Sequence, residues 1–315
     1  LQERLSVPDF RTVGDRIVGP PSPDLLDTVQ AMQRRQDWMR DELIELGHEQ
    51  LSFVGKFSLK DNPEDVAADM RRRLGLQDHW AETMPSWQGA LRALRLRVQD
   101  LGVLVVFNGV VGNSTDRTLD PDEFRGFALS DVYAPLIFIN AADAKSAQIF
   151  TFAHELAHLW LGLDAVSGFE ATLPANDKSE KFCNQVAAEF LIPSKDFPKA
   201  WRDAQSTSDP YGQLARQFKV SPIVVARRAL DLRFIARHQF FSFYRGYVAA
   251  ERRNRKASRG DFFASQNVRV GERFGRAVIT AAREGRLLYR DAFQLLGFGG
   301  ATFDKFAKNI DVVSE

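Results

Sequence analysis

His154-Glu155-Leu156-Ala157-His158 places two imidazoles four positions apart, with a carboxylate beside the first. On a helix, four residues at ~100° each bring His158 about 40° round from His154 and one turn further along. Both rings then reach one metal ion. Glu155 is offset toward the open side, where it can take a proton from a water at that ion. Zinc suits such a site, because it accepts imidazole nitrogen and lowers the pKa of a bound water to ~7. Phe152, Ala153, Leu156, Ala157, Leu159, Trp160 and Leu161 make the segment apolar nearly all round. The bland reading, two structural histidines in a half-buried helix, leaves their polar atoms to find other partners, and burying them without partners is costly. The pattern therefore points to metal-assisted hydrolysis.

A catalytic zinc needs a third protein ligand and an open position. The chain has five histidines and a single cysteine, Cys183. His48, His79 and His238 lie far from the motif in sequence. One cysteine can make neither an internal disulfide nor a multi-cysteine zinc site, which fits an intracellular, cytoplasmic protein. A carboxylate is expected instead, from Asp164, Glu170, Asp177, Glu180 or Glu189. A ligand on a second helix is better held than one on a loop, which favours Glu180 and Glu189. Nine residues correspond to ~900° of rotation, so these two face opposite ways and only one can serve. Glu180 also fits the third position of a capping box begun by Asp177. Spacing alone leaves the choice open.

The elements that must position these groups are legible in outline. Ser22-Pro23 starts a helix that Gly47 stops, and residues before it read as an extended arm. Asn62-Pro63-Glu64 opens a helix through Leu74, and another runs from Ser86 to Gln99. Leu101–Phe107, Gly126–Ser130 and Ala134–Asn140 read as strands. Asp143 or Ser146 starts the motif helix, which Gly162 ends. After a polar loop, Asp177 begins a helix closed by Pro193. Leu214–Leu230 has helix–turn–helix patterning around Val220-Ser221-Pro222. Phe234–Ala250 reads as a helix, Arg252–Arg259 as a basic loop, and 262–310 as helices broken at Gly271, Gly285 and Gly297–Gly300.

Thr151–His158, the later run Glu180-Lys181-Phe182-Cys183-Asn184 through Pro193, and the strands Gly126–Leu129 and Pro135–Asn140 together resemble the ImmA/IrrE family of metallopeptidases, over about 101–193. Ala157 stands where many relatives have Gly. The resemblance implies zinc held by His154, His158 and Glu180, with Glu155 as general base and Glu189 facing away. It implies an α+β, mostly helical fold: a small sheet backing a zincin-like HExxH helix and a second, ligand-bearing helix, with helical regions on both sides. It also implies a repressor as substrate, cut in a stress or phage-related switch. Residues 6–46 resemble the segment that follows an Xre-type helix-turn-helix in longer relatives. With no initiator Met at Leu1, this suggests a DNA-contacting domain ahead of this chain. A rival reading, from the same relatives, is an antitoxin-like regulator that binds a toxin and does not use its zinc core for proteolysis.

The division expected is an N-terminal arm with helices (1–95), the peptidase core (96–200), a helical pair (201–238) and a basic helical region (239–315). The pair offers Arg227 and Arg228 as DNA contacts, against a plain packing role on the core. Residues 239–315 hold 14 Lys/Arg against 8 Asp/Glu, within a chain of net charge +1. The cluster 252–259 suits an acidic partner or nucleic acid, or simply a solvated loop. For Cys183, burial as a small apolar residue competes with a redox role. At 315 residues, 44% apolar and 26% charged, the chain is of ordinary globular composition. Its longest apolar stretch, Leu101–Val111, falls short of the ~20 residues a membrane span needs.

Overall fold

The computed structural model describes residues 21–167, 178–255 and 266–312. Local capping sets the first helices. α1 (Pro23–Glu45) starts where Ser22 Oγ accepts the Leu25 N–H, with Pro23 at the first position. α2 (Pro63–Arg73) and α3 (Trp87–Asp100) start the same way at Asn62 and Ser86. β1 (Leu104–Asn108) begins later than its apolar run suggests, because Leu101 caps α3 and Gly102 turns the chain at a φ of +106°. The HExxH helix, α4 (Lys145–Leu161), is N-capped by Ala144, not by Asp143 or Ser146. Asp143 instead lies just outside, where its Oδ1 accepts the Ala144 N–H at 2.8 Å and its carbonyl accepts from Gln148 Nε2 at 2.6 Å.

β2 (Gly126–Leu129), β3 (Leu136–Asn140) and β4 (Ala165–Ser167) complete a sheet of order β1-β3-β2-β4. β1 and β3 are parallel, and the other pairs are antiparallel. A strand over 134–140 could hold an extended substrate by β-addition only from a sheet edge, but β3 is internal, paired on both sides. Its Leu-Ile-Phe-Ile run, apolar on both faces, fits a sheet covered on both sides, while its central place comes from parallel pairing with β1 and antiparallel pairing with β2. The edges are β1 and β4.

Strand alternation divides the core in two. Val105, Phe107, Ala128, Ile137 and Ile139 face the layer that contains α4. Leu104, Val106, Phe127, Leu129, Leu136 and Phe138 face the opposite layer, where Phe127 and Phe138 stack at 4.9 Å. The front layer comprises α2, α3, α4, α5 (Lys178–Leu191), α6 (Phe197–Ala204), α7 (Pro210–Phe218) and α8 (Pro222–Asp231). α6 carries no strong sequence signal, being a two-turn helix whose buried face is Phe197, Trp201 and Ala204. α9 (Arg237–Arg255) packs on α8 through Phe240. Arg252, Arg253 and Arg255, expected in a loop, continue this helix, while 256–259 lie outside the described residues. α10 (Gln266–Val270), α11 (Glu272–Arg283), α12 (Tyr289–Leu296) and α13 (Ala301–Val312) are divided at the expected glycines.

The back layer joins distant parts of the chain. α1 packs with α11, α12 and α13 over one sheet face. The buried Arg35 of α1 donates Nε–H to the Leu295 carbonyl at 3.0 Å and reaches the Val270 carbonyl at 3.4 Å. Its guanidinium thus meets the carbonyl ends of α10 and α12, where the helix dipole favours a cation. Gln36 Nε2 ties α1 to the sheet through the carbonyls of Leu129 and Ala134.

Two contacts seat α4 in the front layer. At its C-cap, Gly162 takes a φ of +66°, and a Cβ there would come within 3.0 Å of Gly55 Cα. At Trp160, the indole Nε1–H donates to Asp69 Oδ2 at 3.0 Å while the ring packs on Phe53 at 4.4 Å. Asp69, 1% exposed, also accepts from Lys56 at 2.7 Å, Arg73 at 3.2 Å and Arg72. Burial would raise this carboxyl, but the hydrogen bonds from Lys56, Trp160 and Arg72 overcome it and hold the pKa at about 2. A depressed carboxylate stabilises the fold above its unfolded pKa and loses that contribution as pH falls toward the folded one. Asp69→Asn is therefore expected to cost about 2 kcal/mol near neutral pH. Chemical denaturation should show the wild-type advantage shrinking between pH 4 and pH 2. A gap that is constant across this range would refute the assignment.

Candidate metal centre

α4 is buried on every side: Gln148 through Leu161 are all enclosed. His154 and Glu155 are 0% exposed and His158 is 1% exposed. One helical turn brings the two rings together, with Nε2 to Nε2 at 3.0 Å. α5 crosses α4 so that Glu180, in its first turn, reaches both: Oε2 lies 3.1 Å from His154 Nε2, and Oε1 lies 3.2 Å from His158 Nε2. Glu180 retains 30% side-chain exposure, so the cluster opens to solvent on the α5 side.

These three residues form the one group of histidine, cysteine and acidic side chains among the described residues with ligand atoms mutually within 4.8 Å. The donor set fits zinc. A tetrahedral ion with ligands at 2.0–2.1 Å sets neighbouring donors roughly 3.3 Å apart, close to the separations seen here. Two imidazole nitrogens aimed at each other also need a cation or a shared proton between them. Charge couples the three groups. Burial would lower His154, but Glu180 and Glu155 raise it above the ordinary histidine value. Burial would raise Glu180, but His154 and His158 push it well below the usual carboxylate range. The same attraction favours a protonated His154, so a metal bound there would displace that proton.

The other candidate carboxylates are placed elsewhere. Asp164 Oδ1 accepts the Ser130 N–H, fixing the turn after β2. Glu170 and Asp177 lie outside the described residues, and with Asp177 goes the capping-box reading. Glu189 points away from the histidines, on the far side of α5. It pairs with Arg228, and its Oε1 accepts from Ser194 N–H at 3.0 Å and Ser194 Oγ at 3.1 Å. Arg71 of α2 completes this knot by donating to the Glu189 carbonyl at 2.8 Å.

The Glu189 knot also bears on the helical pair. Arg228, 6% exposed, is turned inward and unavailable to DNA, and its Nε–H donates to the Ile192 carbonyl at 3.0 Å. Arg227 pairs with Asp231 at 2.9 Å. Leu214, Phe218, Val224 and Val225 share the apolar cluster of α4, so α7 and α8 pack on the core. Cys183 is fully buried in that cluster too. Sequence reading gives Asn184 no role, although its i+4 spacing from Glu180 sets it on the same face of α5.

Glu180→Ala is expected to lower zinc content, measured by elemental analysis, with the circular-dichroism spectrum retained. Undiminished zinc would remove Glu180 from the site. Glu189→Ala should do the reverse, keeping zinc stoichiometry but losing about 3–5 kcal/mol of stability, because it strands a buried guanidinium.

Comparison with known proteins agrees with this geometry. Residues 98–230, from the end of α3 to the end of α8, match the Peptidase_M78 family, described as the IrrE N-terminal-like domain. Residues 270–309, covering α11 and α12 and most of α13, match a domain of unknown function, DUF8813. No curated protein matches the chain. The sheet, the HExxH helix and the Glu180 helix thus all lie within residues 98–230, the stretch that matches the IrrE N-terminal-like domain model.

Proposed function

We propose that the protein is a zinc-dependent endopeptidase with His154, His158 and Glu180 as metal ligands and Glu155 as general base. The convergence of the three donor side chains, with Glu155 on the same turn as His154, carries this reading. Zinc held there would polarise a scissile carbonyl and make hydroxide available near neutral pH. The buried apolar surroundings strengthen every electrostatic interaction in the site. Glu155 takes the proton as water attacks the carbonyl carbon, and returns it to the amine nitrogen as the C–N bond breaks. Glu180, exposed on one side, leaves the approach for an extended peptide open. No helix among the described residues is long and apolar enough to cross a membrane. The substrate proposed is a transcriptional repressor, so that cleavage relieves repression under stress or phage induction.

The test presents purified transcriptional repressors of the same cell to the zinc-loaded protein and follows their cleavage by mass spectrometry. Glu155→Gln should bind zinc as the wild type does, yet cleave about 10²–10⁴-fold more slowly. Full cleavage by the zinc-loaded variant would exclude Glu155 as the base.

A further inference from the structure

A histidine that offers Nε2 to a metal must carry its proton on Nδ1, and something has to hold that proton. His154 Nε2 is already committed to the cluster, being 3.0 Å from His158 Nε2 and 3.1 Å from Glu180 Oε2. Its Nδ1 is enclosed away from solvent and makes no hydrogen bond of standard geometry. Asn184 Oδ1 is enclosed and lacks a standard partner in the same way. One is a donor in search of an acceptor, the other an acceptor in search of a donor. They sit on the two helices that form the site, with Asn184 one turn beyond Glu180. Asn184 also acts on His154 as an accepting group does, favouring its protonated ring.

We propose that Asn184 is a positioning residue for His154: its Oδ1 takes the Nδ1–H and keeps Nε2 as the lone-pair nitrogen facing the metal position. The proposal rests on the metal-site reading above. It explains why an amide follows the acidic ligand at one turn's spacing. Gln or Asp keeps an acceptor there, whereas an aliphatic residue leaves a buried N–H without one. The direction of the amide matters. With its NH2 group turned toward His154, Asn184 would enforce the Nε2–H tautomer and oppose metal binding.

Two measurements on the full chain test this. Long-range ¹H–¹⁵N spectra of the zinc-free protein, taken above the histidine titration, read the His154 tautomer directly. Zinc affinity is read by competition with a chromophoric chelator, using Zn²⁺ alone. The expected wild-type tautomer is Nδ1–H, with that preference lost in Asn184→Leu and kept in Asn184→Asp. Asn184→Leu should bind zinc about 10–100-fold more weakly, and Asn184→Asp close to wild type. Asn184→Ala serves as a second variant should the leucine disturb folding, and it too should lose both properties. An Nε2–H tautomer in the wild type, or wild-type zinc affinity in both Asn184→Leu and Asn184→Ala, would overturn the assignment. A wild-type protein that takes up no zinc would defeat the metal reading instead. The tautomer spectra would then still decide the hydrogen bond: loss of Nδ1–H in the variants supports it, and its persistence refutes it.

Discussion

The structure is organised by the burial of one helix from its second turn onward. From Gln148 to Leu161, α4 has no solvent face, so each polar side chain there must find its partner inside the protein. His154 and His158 find each other and Glu180. Thr151 donates to the Ala147 carbonyl at 3.2 Å, and Trp160 donates to Asp69. A helix in this position cannot slide or rotate without breaking several such pairings at once. The site therefore inherits its precision from the core rather than from loops.

The surroundings of α4 form two polar anchors set in an apolar matrix. Asp69 gathers three cations and an indole at one end of the helix. The Glu189–Arg228–Arg71 knot fixes the C-terminal half of α5, and with it the direction from which Glu180 approaches. Neither anchor touches the cluster of imidazoles. Both are buried charges whose partners satisfy them, the arrangement in which removal of a single member is most damaging. Glycine does complementary work on the other side of α4. A Cβ at Gly126 of β2 would come within 2.8 Å of Thr151 Cγ2, so the sheet and the helix meet closer there than any side chain permits.

Much of this was legible in the sequence because it is local. The HExxH spacing, the Ser22, Asn62 and Ser86 caps and the glycine breaks near the C-terminus are short-range signals, and they predict the elements found. The resemblance over 101–193 singled out Glu180, which spacing alone could not separate from Glu189. What stayed hidden is long-range. The fate of Glu189 depends on Arg228, which belongs to a helix whose basic dipeptide looks equally suited to DNA. The interior place of β3 depends on a parallel pairing with β1 that strand patterns do not specify. The basic run after Ala250 reads as a loop by composition, yet helix α9 carries on through Arg255. The shared back layer of α1 with α11–α13 has no sequence signature, since it joins segments at opposite ends of the chain.

That back layer has a consequence for how the protein is made. Arg35 and Leu295 hydrogen-bond across 260 positions. The sheet and the imidazole helix are translated long before α11 exists to cover Phe127, Phe138 and Leu136. At roughly 5–20 residues per second, the interval is on the order of ten seconds. During it the nascent chain exposes a stacked aromatic surface, with α1 alone able to shelter part of it. The back face of the sheet closes only once the segment matched at 270–309 has been made.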